Sequence, residues 1–186
     1  MTAPVVIGVF GISGVGKSWL VGEVAARIPG TLHLQGGALI KQGLAGPSVS
    51  SEMLRRASGD RIIAGQRILI AMFNRELAEH PSSIVLFDLF DGHLLIDTET
   101  ELIEVPQAVI AALSTAILVH VEADASLIAA RRNADTQRKR PVRDIVTLAA
   151  HQALSRRLCQ DCALTLGIPM HIIGSSDVGG LAALCR

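Results

Sequence analysis

A chain of 186 residues with 49% hydrophobic and 18% charged side chains is long enough for one domain with a sizeable core, and its composition excludes disorder. Seventeen basic residues balance seventeen acidic ones, so nothing global favours nucleic acid or an anionic membrane as a partner. Three cysteines, an odd number, argue against a disulfide framework and for a reducing cytosol.

Met1-Thr2-Ala3-Pro4 has no basic stretch ahead of an apolar one and does not read as a signal peptide. Val5–Phe10 is a short apolar run, the pattern of a buried parallel strand. Gly11-Ile12-Ser13-Gly14-Val15-Gly16-Lys17-Ser18 follows it, a complete G-x-x-x-x-G-K-S phosphate loop. Backbone N–H groups of Gly11, Ser13, Gly14, Val15 and Gly16 are expected to cradle phosphates. Lys17 reaches the β- and γ-phosphates, and Ser18 ligates Mg²⁺. The helix expected over Lys17–Arg27 presents its positive end to them. Trp19, the single tryptophan, lies beside this site.

Further strands are expected over Thr31–Leu34, Ser83–Phe90, Thr115–Val121 and Met170–Ile173. Helices are expected over Ser51–Arg56, Arg61–Glu79, Gln107–Leu113, Ser126–Arg132, Val142–Leu166 and Asp177–Leu184, with Ser51 and Asp60 as caps. The run Ile84–Ile96 is broken by Asp88, Asp91 and His93, so it is no membrane span. It ends instead as a strand carrying an acid beside the phosphate loop, with Asp88 and Asp91 both candidates for Mg²⁺. Arg131–Arg143 concentrates positive charge after the fourth strand, where a lid would close over a transferring phosphoryl group. Cys159-Gln160-Asp161-Cys162 sits in a helical pattern without a second ligand pair and reads as packing; His33, His120 and His171 read the same way. Alternating strands and helices give an α/β, three-layer P-loop NTPase fold, a five-stranded parallel sheet with helices on both faces.

With these motifs placed, the chain resembles the nucleoside monophosphate kinases, and the archaeal-type adenylate kinases among them. The likeness rests on Gly11–Ser18, Asp91-Gly92-His93, Glu122-Ala123-Asp124 and the lid pattern of Asp135 with Arg138 and Arg140. It implies one domain over 1–186, with ATP and Mg²⁺ as cofactors, a monophosphate-binding lobe at 36–80 and a short lid at 131–143. It tips the Mg²⁺ acid toward Asp91. It implies that Arg131, Arg138 and Arg140 close on the transferring group and that Arg156 approaches from the long helix. Arg55, Gln66, Asp88 and His93 fall on the acceptor side, and Gly174 with Ser175 line the adenine of ATP. Gln35-Gly36-Gly37 and Glu99–Pro106 depart from the family pattern, both on that acceptor side.

Two other readings stand beside this one. A kinase for another small metabolite fits the altered acceptor side. A nucleotide-binding regulatory protein would need no catalysis, but the chain has no N-K-x-D or L-S-G-G-Q motif and is short for an AAA+ module with a helical lid.

Overall fold

The computed structural model describes residues 4–44, 59–80, 87–136, 138 and 140–185, with the side chains of 59–63 also outside the description. Arg55 and the helix expected over Ser51–Arg56 lie outside the described residues.

The elements in chain order are β1 (Val5–Phe10), α1 (Lys17–Arg27), β2 (Thr31–Gln35), α2 (Gly36–Gly43), α3 (Gly59–Glu79), β3 (Phe87–Asp91), β4 (Leu95–Asp97) and β5 (Leu102–Glu104). They continue with α4 (Gln107–Ala112), β6 (Ile117–Glu122), α5 (Ala125–Ala134), α6 (Ile145–Leu166), β7 (Met170–Gly174) and α7 (Val178–Ala183). Five strands form one parallel sheet in the order β2-β3-β1-β6-β7, and β4 pairs antiparallel with β5.

Both faces of the sheet are covered, which explains why β1 is a run of apolar residues rather than an alternation. Val6, Phe10, Phe90 and Leu118 pack on one face against Leu69, Phe73, Ile110 and Cys159. Ile7, Val9, Leu89 and Val119 pack on the other against Leu20, Val24, Ile128 and Leu181. The three-layer fold is therefore the one expected. Cys159 and Cys162 are core residues, and burial pushes the Cys159 thiol up to about 12.

Helix ends carry their own chemistry. Asp124 accepts from Ser126 N at 2.7 Å ahead of α5, and Asp144 accepts from Thr147 N at 2.6 Å ahead of α6. Gly167, at φ 67°, closes α6 in the left-handed region. Four expectations shift. The long helix begins at Ile145 rather than Val142, because Asp144 caps it. Asp60 lies inside α3, which includes Gly59. A helix over Gly36–Gly43 stands where only an insertion is expected, since a Gly-Gly start gives no propensity signal. The β4–β5 hairpin has strands of three residues, too short to show a period. Among the described residues no helix is long and apolar enough to cross a membrane.

Candidate active site

Three parallel strands end at one place. β1 runs into the phosphate loop, β3 ends on Asp91, and β6 leads to α5 and the arginines. Asp91 pairs in register with Val9, so its side chain arrives beside the loop, and Ser18 Oγ donates to Asp91 Oδ2 at 2.5 Å. Burial alone would push the Asp91 carboxyl up. His33, whose Nε2 lies 3.6 Å away, together with Lys17 and Ser18 outweighs burial and holds it at about 2. Asp91 is therefore ionised under all ordinary conditions.

Lys17 is 4% exposed and folds back over the loop, donating from Nζ to the carbonyls of Gly11 at 3.0 Å and Ile12 at 3.3 Å. Burial lowers its pKa to about 8, with Arg140, Arg132 and Arg138 acting in the same direction against Asp91. His93 Nδ1 lies 2.9 Å from Gly11 O, and a carbonyl only accepts, so Nδ1 carries the proton. Desolvation by the loop and the Lys17 ammonium lower the pKa of this imidazole, which keeps an exposed edge.

The loop glycines make room for arginines. Gly14 has φ +88°, and a Cβ there would lie 2.8 Å from Arg132 Cγ. Gly16 has φ +112°, and its Cβ would meet Arg131 Nη1 at 3.0 Å. The two arginines do different things. Arg131 lies on the far side of the loop, where Nη1 donates to Val15 O and, at 3.1 Å, to Ser175 Oγ. Arg132 donates from Nε to Ser13 O at 2.9 Å and from Nη1 to Asp97 Oδ2 at 3.0 Å.

A crevice of about 310 Å³ opens from the loop. Ser13, Ser18, Asp91, His93, Arg132, Arg138 and Arg140 line one half of it. Gln35, Lys41, Gln66, Leu69, Phe90, Leu95, Ile96 and Ile110 line the other, from β2, α2, α3, β3, the hairpin and α4. Arg140 pairs with Asp135 at 2.8 Å, and Arg138 N donates to the same carboxylate at 3.2 Å.

Not every expected residue comes to this place. Asp88 is corrected: it lies three residues back along β3, on the sheet face opposite Asp91, and does not line the crevice. Alternation along a strand sends residues three apart to opposite faces. Arg131 does not line this crevice, being turned by about 100° from Arg132 on the helix, and meets the loop at Val15 and Ser175 instead. Arg156 does not line the crevice either; its Nη1 lies 3.4 Å from Glu122 Oε1. Ser175 N donates to Glu122 O at 2.8 Å, which places Gly174-Ser175 beside the loop at the end of β7. Trp19 is 55% exposed on α1.

Asp97, Arg132 and His33 do not stand out from sequence. Asp97 reads as a turn acid in Asp97-Thr98-Glu99, with nothing local to announce partners 35 and 46 residues away. Arg132 has one usable signal: it follows Ile128 by four residues, and both face the loop, buried. His33 gives none, because only the β2–β3 pairing brings it to Asp91.

A protein-family profile described as "AAA domain" matches residues 10–149. The chain belongs to that family. The matched span runs from the end of β1 into α6 and takes in the phosphate loop, Asp91 and both groups of arginines. A comparison with curated proteins finds no match. Among solved structures, the chain is similar to shikimate kinase from Bacteroides thetaiotaomicron, at 14% identity and a TM-score of 0.60 over 97% of each chain. It is also similar to the tunicamycin resistance protein of Deinococcus radiodurans, at 11% identity and a TM-score of 0.52 over 89% of this chain and 96% of that one. At these identities the likeness is one of fold alone. Neither the family description nor these two structures are those of an adenylate kinase, the family that the motifs resemble.

Proposed function

We propose that the protein transfers the γ-phosphoryl group of ATP to a small-molecule acceptor held in the crevice, with a nucleoside monophosphate, AMP first, as that acceptor. One observation carries the reading. Ser18 and an ionised Asp91 meet at the end of a phosphate loop that opens onto a continuous crevice. The two oxygens fit Mg²⁺, which takes few protein ligands and completes its shell with water and phosphates. When bound, Mg²⁺ neutralises charge on the β- and γ-oxygens.

The chain's own residues do the rest. Loop amides and Lys17 hold the phosphates, and Arg138 with Arg140 offsets charge on the transferring group from the lid segment. The bond from the γ-phosphorus to the bridging oxygen breaks, a bond to the acceptor oxygen forms, and ADP leaves. Closure of 131–143 would exclude water, which otherwise accepts the phosphoryl group. In the acceptor half, Leu69 offers apolar surface and Gln66 an amide, which together suit a nucleobase. Arg55 would meet the acceptor phosphate. The balanced charge and three buried thiols suit a small-molecule enzyme of the cytosol.

A second reading has a specific observation in its favour. Phe90, Leu95, Ile96 and Ile110 make the acceptor half apolar, and Gln35-Gly36-Gly37 lines it where adenylate kinases carry an acid. A hydroxyl-bearing metabolite with an apolar body fits this wall equally well. Two adenosines joined through phosphates separate the readings. A nucleoside monophosphate kinase binds that analogue at least about a hundredfold tighter than ATP, because both halves engage. Affinity no better than that of ATP excludes AMP and favours the metabolite hydroxyl.

A further inference from the structure

One carboxylate holds both ends of the lid segment. Asp97, on β4 and 8% exposed, takes Arg132 Nη1 on Oδ2 at 3.0 Å. On Oδ1 it takes Arg143 Nη2 at 3.0 Å and Arg143 Nε at 3.2 Å. His151 Nδ1 lies 3.8 Å from Oδ2. Arg132 lies in the last turn of α5, and Arg143 stands just ahead of Asp144, the cap of α6. Residues 133–142 therefore leave from and return to the same side chain, with Arg138 and Arg140 between.

Each anchor is itself fixed. Arg132 Nε donates to Ser13 O at 2.9 Å, so α5 ends against the phosphate loop. Arg143 Nη2 also donates to Thr98 O at 2.9 Å, so the hairpin holds it by side chain and backbone alike. Gln152 accepts from Ala123 N at 3.1 Å and donates to Ala123 O at 3.0 Å, which locks α6 to the end of β6. Leu95, Ile96 and Asp97 of the hairpin line the crevice, as do Arg138 and Arg140. A buried carboxylate between guanidiniums adds little net stability over apolar packing, but each planar fork is a rigid array of donors that fixes one geometry. What the cluster supplies is therefore a defined start and finish for the lid.

We propose that Asp97 is a positioning residue that, through Arg132 and Arg143, sets the lid arginines Arg138 and Arg140 over the transferring phosphoryl group, an inference that rests on the phosphoryl-transfer reading above. Two readouts test it on the wild type, Asp97→Asn, Arg143→Gln, Arg138→Ala and the Asp97→Asn/Arg138→Ala pair. One is kcat, with AMP as acceptor or, if AMP takes no label, the hydroxyl-bearing metabolite that does. The other is calorimetric affinity for a non-hydrolysable ATP analogue with Mg²⁺. A loosened lid base should lower kcat about tenfold or more in Asp97→Asn and in Arg143→Gln, because small misplacements of catalytic groups cost that much. Affinity for the analogue should stay within about threefold, since the loop amides and Lys17 are untouched. In the pair, the combined loss of kcat should fall short of the product of the single losses by about threefold or more, because Asp97 acts through the lid arginines. A kcat within about threefold of the wild type in either Asp97→Asn or Arg143→Gln, an equal loss of analogue affinity, or losses that multiply would overturn the proposal. If Asp97→Asn does not fold, Arg143→Gln replaces it in the pair, at a side chain 28% exposed, with the same expectations and the same refutations. A wild type that phosphorylates no acceptor overturns the functional reading itself; one that does, with any of those three results, overturns only this inference.

Discussion

Asp88 gives the sharpest stability prediction. It is 1% exposed in the middle of the sheet, and neither carboxylate oxygen has a hydrogen-bond partner among the described residues. Burial pushes its pKa from an ordinary 3.8 to about 6, with His80 opposing. Each pH unit of displacement corresponds to about 1.4 kcal/mol, so ionising Asp88 costs the fold about 3 kcal/mol. The native state keeps this proton where the unfolded chain has lost it. The contribution is therefore fully present below pH 3.8 and is lost as the pH rises through about 6. Wild-type data alone would hide the effect. His120, buried and lowered to about 4, makes stability rise with pH over part of the same range. The Asp88→Asn variant isolates it, because the amide keeps the shape and cannot ionise. Urea unfolding of both proteins between about pH 4 and pH 8 should show the variant gaining on the wild type by about 2–3 kcal/mol. For a chain of this size that is roughly 5–10 °C in Tm. A gap that does not change with pH, or a variant less stable at the alkaline end, would refute the reasoning.

Other predictions concern the loop and the lid. Nucleotide affinity should fall as pH rises above about 8, where free Lys17 loses its proton, toward about tenfold per pH unit. Binding in that range takes up a proton, so the calorimetric heat should depend on the buffer; a buffer-independent heat contradicts the assignment. Gly14→Ala forces an alanine to φ +88° and a Cβ to 2.8 Å from Arg132 Cγ. It should cost about 1–2 kcal/mol in urea unfolding from the backbone alone, and an unchanged midpoint would argue against the close approach. Arg138 is exposed and lines the crevice, so Arg138→Ala should leave stability within about 0.5 kcal/mol. Its kcat should drop by about a hundredfold or more. If kcat survives, 131–143 is not the lid.

The fold was legible because its signals are local. A buried parallel strand is a short apolar run, a phosphate loop is a contiguous motif, and α1 begins and ends where its residues say. What stayed hidden depends on contacts far apart in sequence. Asp97 reaches Arg132 and Arg143 through the hairpin, and His33 reaches Asp91 only across paired strands. The choice between Asp88 and Asp91 turned on which face of β3 meets the loop, a register that no single strand reveals. That Arg132 lines the crevice while the expected Arg131 bonds to Val15 and Ser175 turned on the rotation of α5 by one residue. In each case the residue type was visible in the sequence and the direction of its side chain was not.

Phosphoryl transfer from this crevice can be followed directly. Mg²⁺-ATP carrying a labelled γ-phosphoryl group, incubated with AMP and in parallel with a panel of hydroxyl-bearing metabolites, tests it directly. Label should appear on an acceptor, AMP first, at a rate at least about a thousandfold above that of the Lys17→Ala variant. Label released only as inorganic phosphate, at a rate that no acceptor changes, would contradict it.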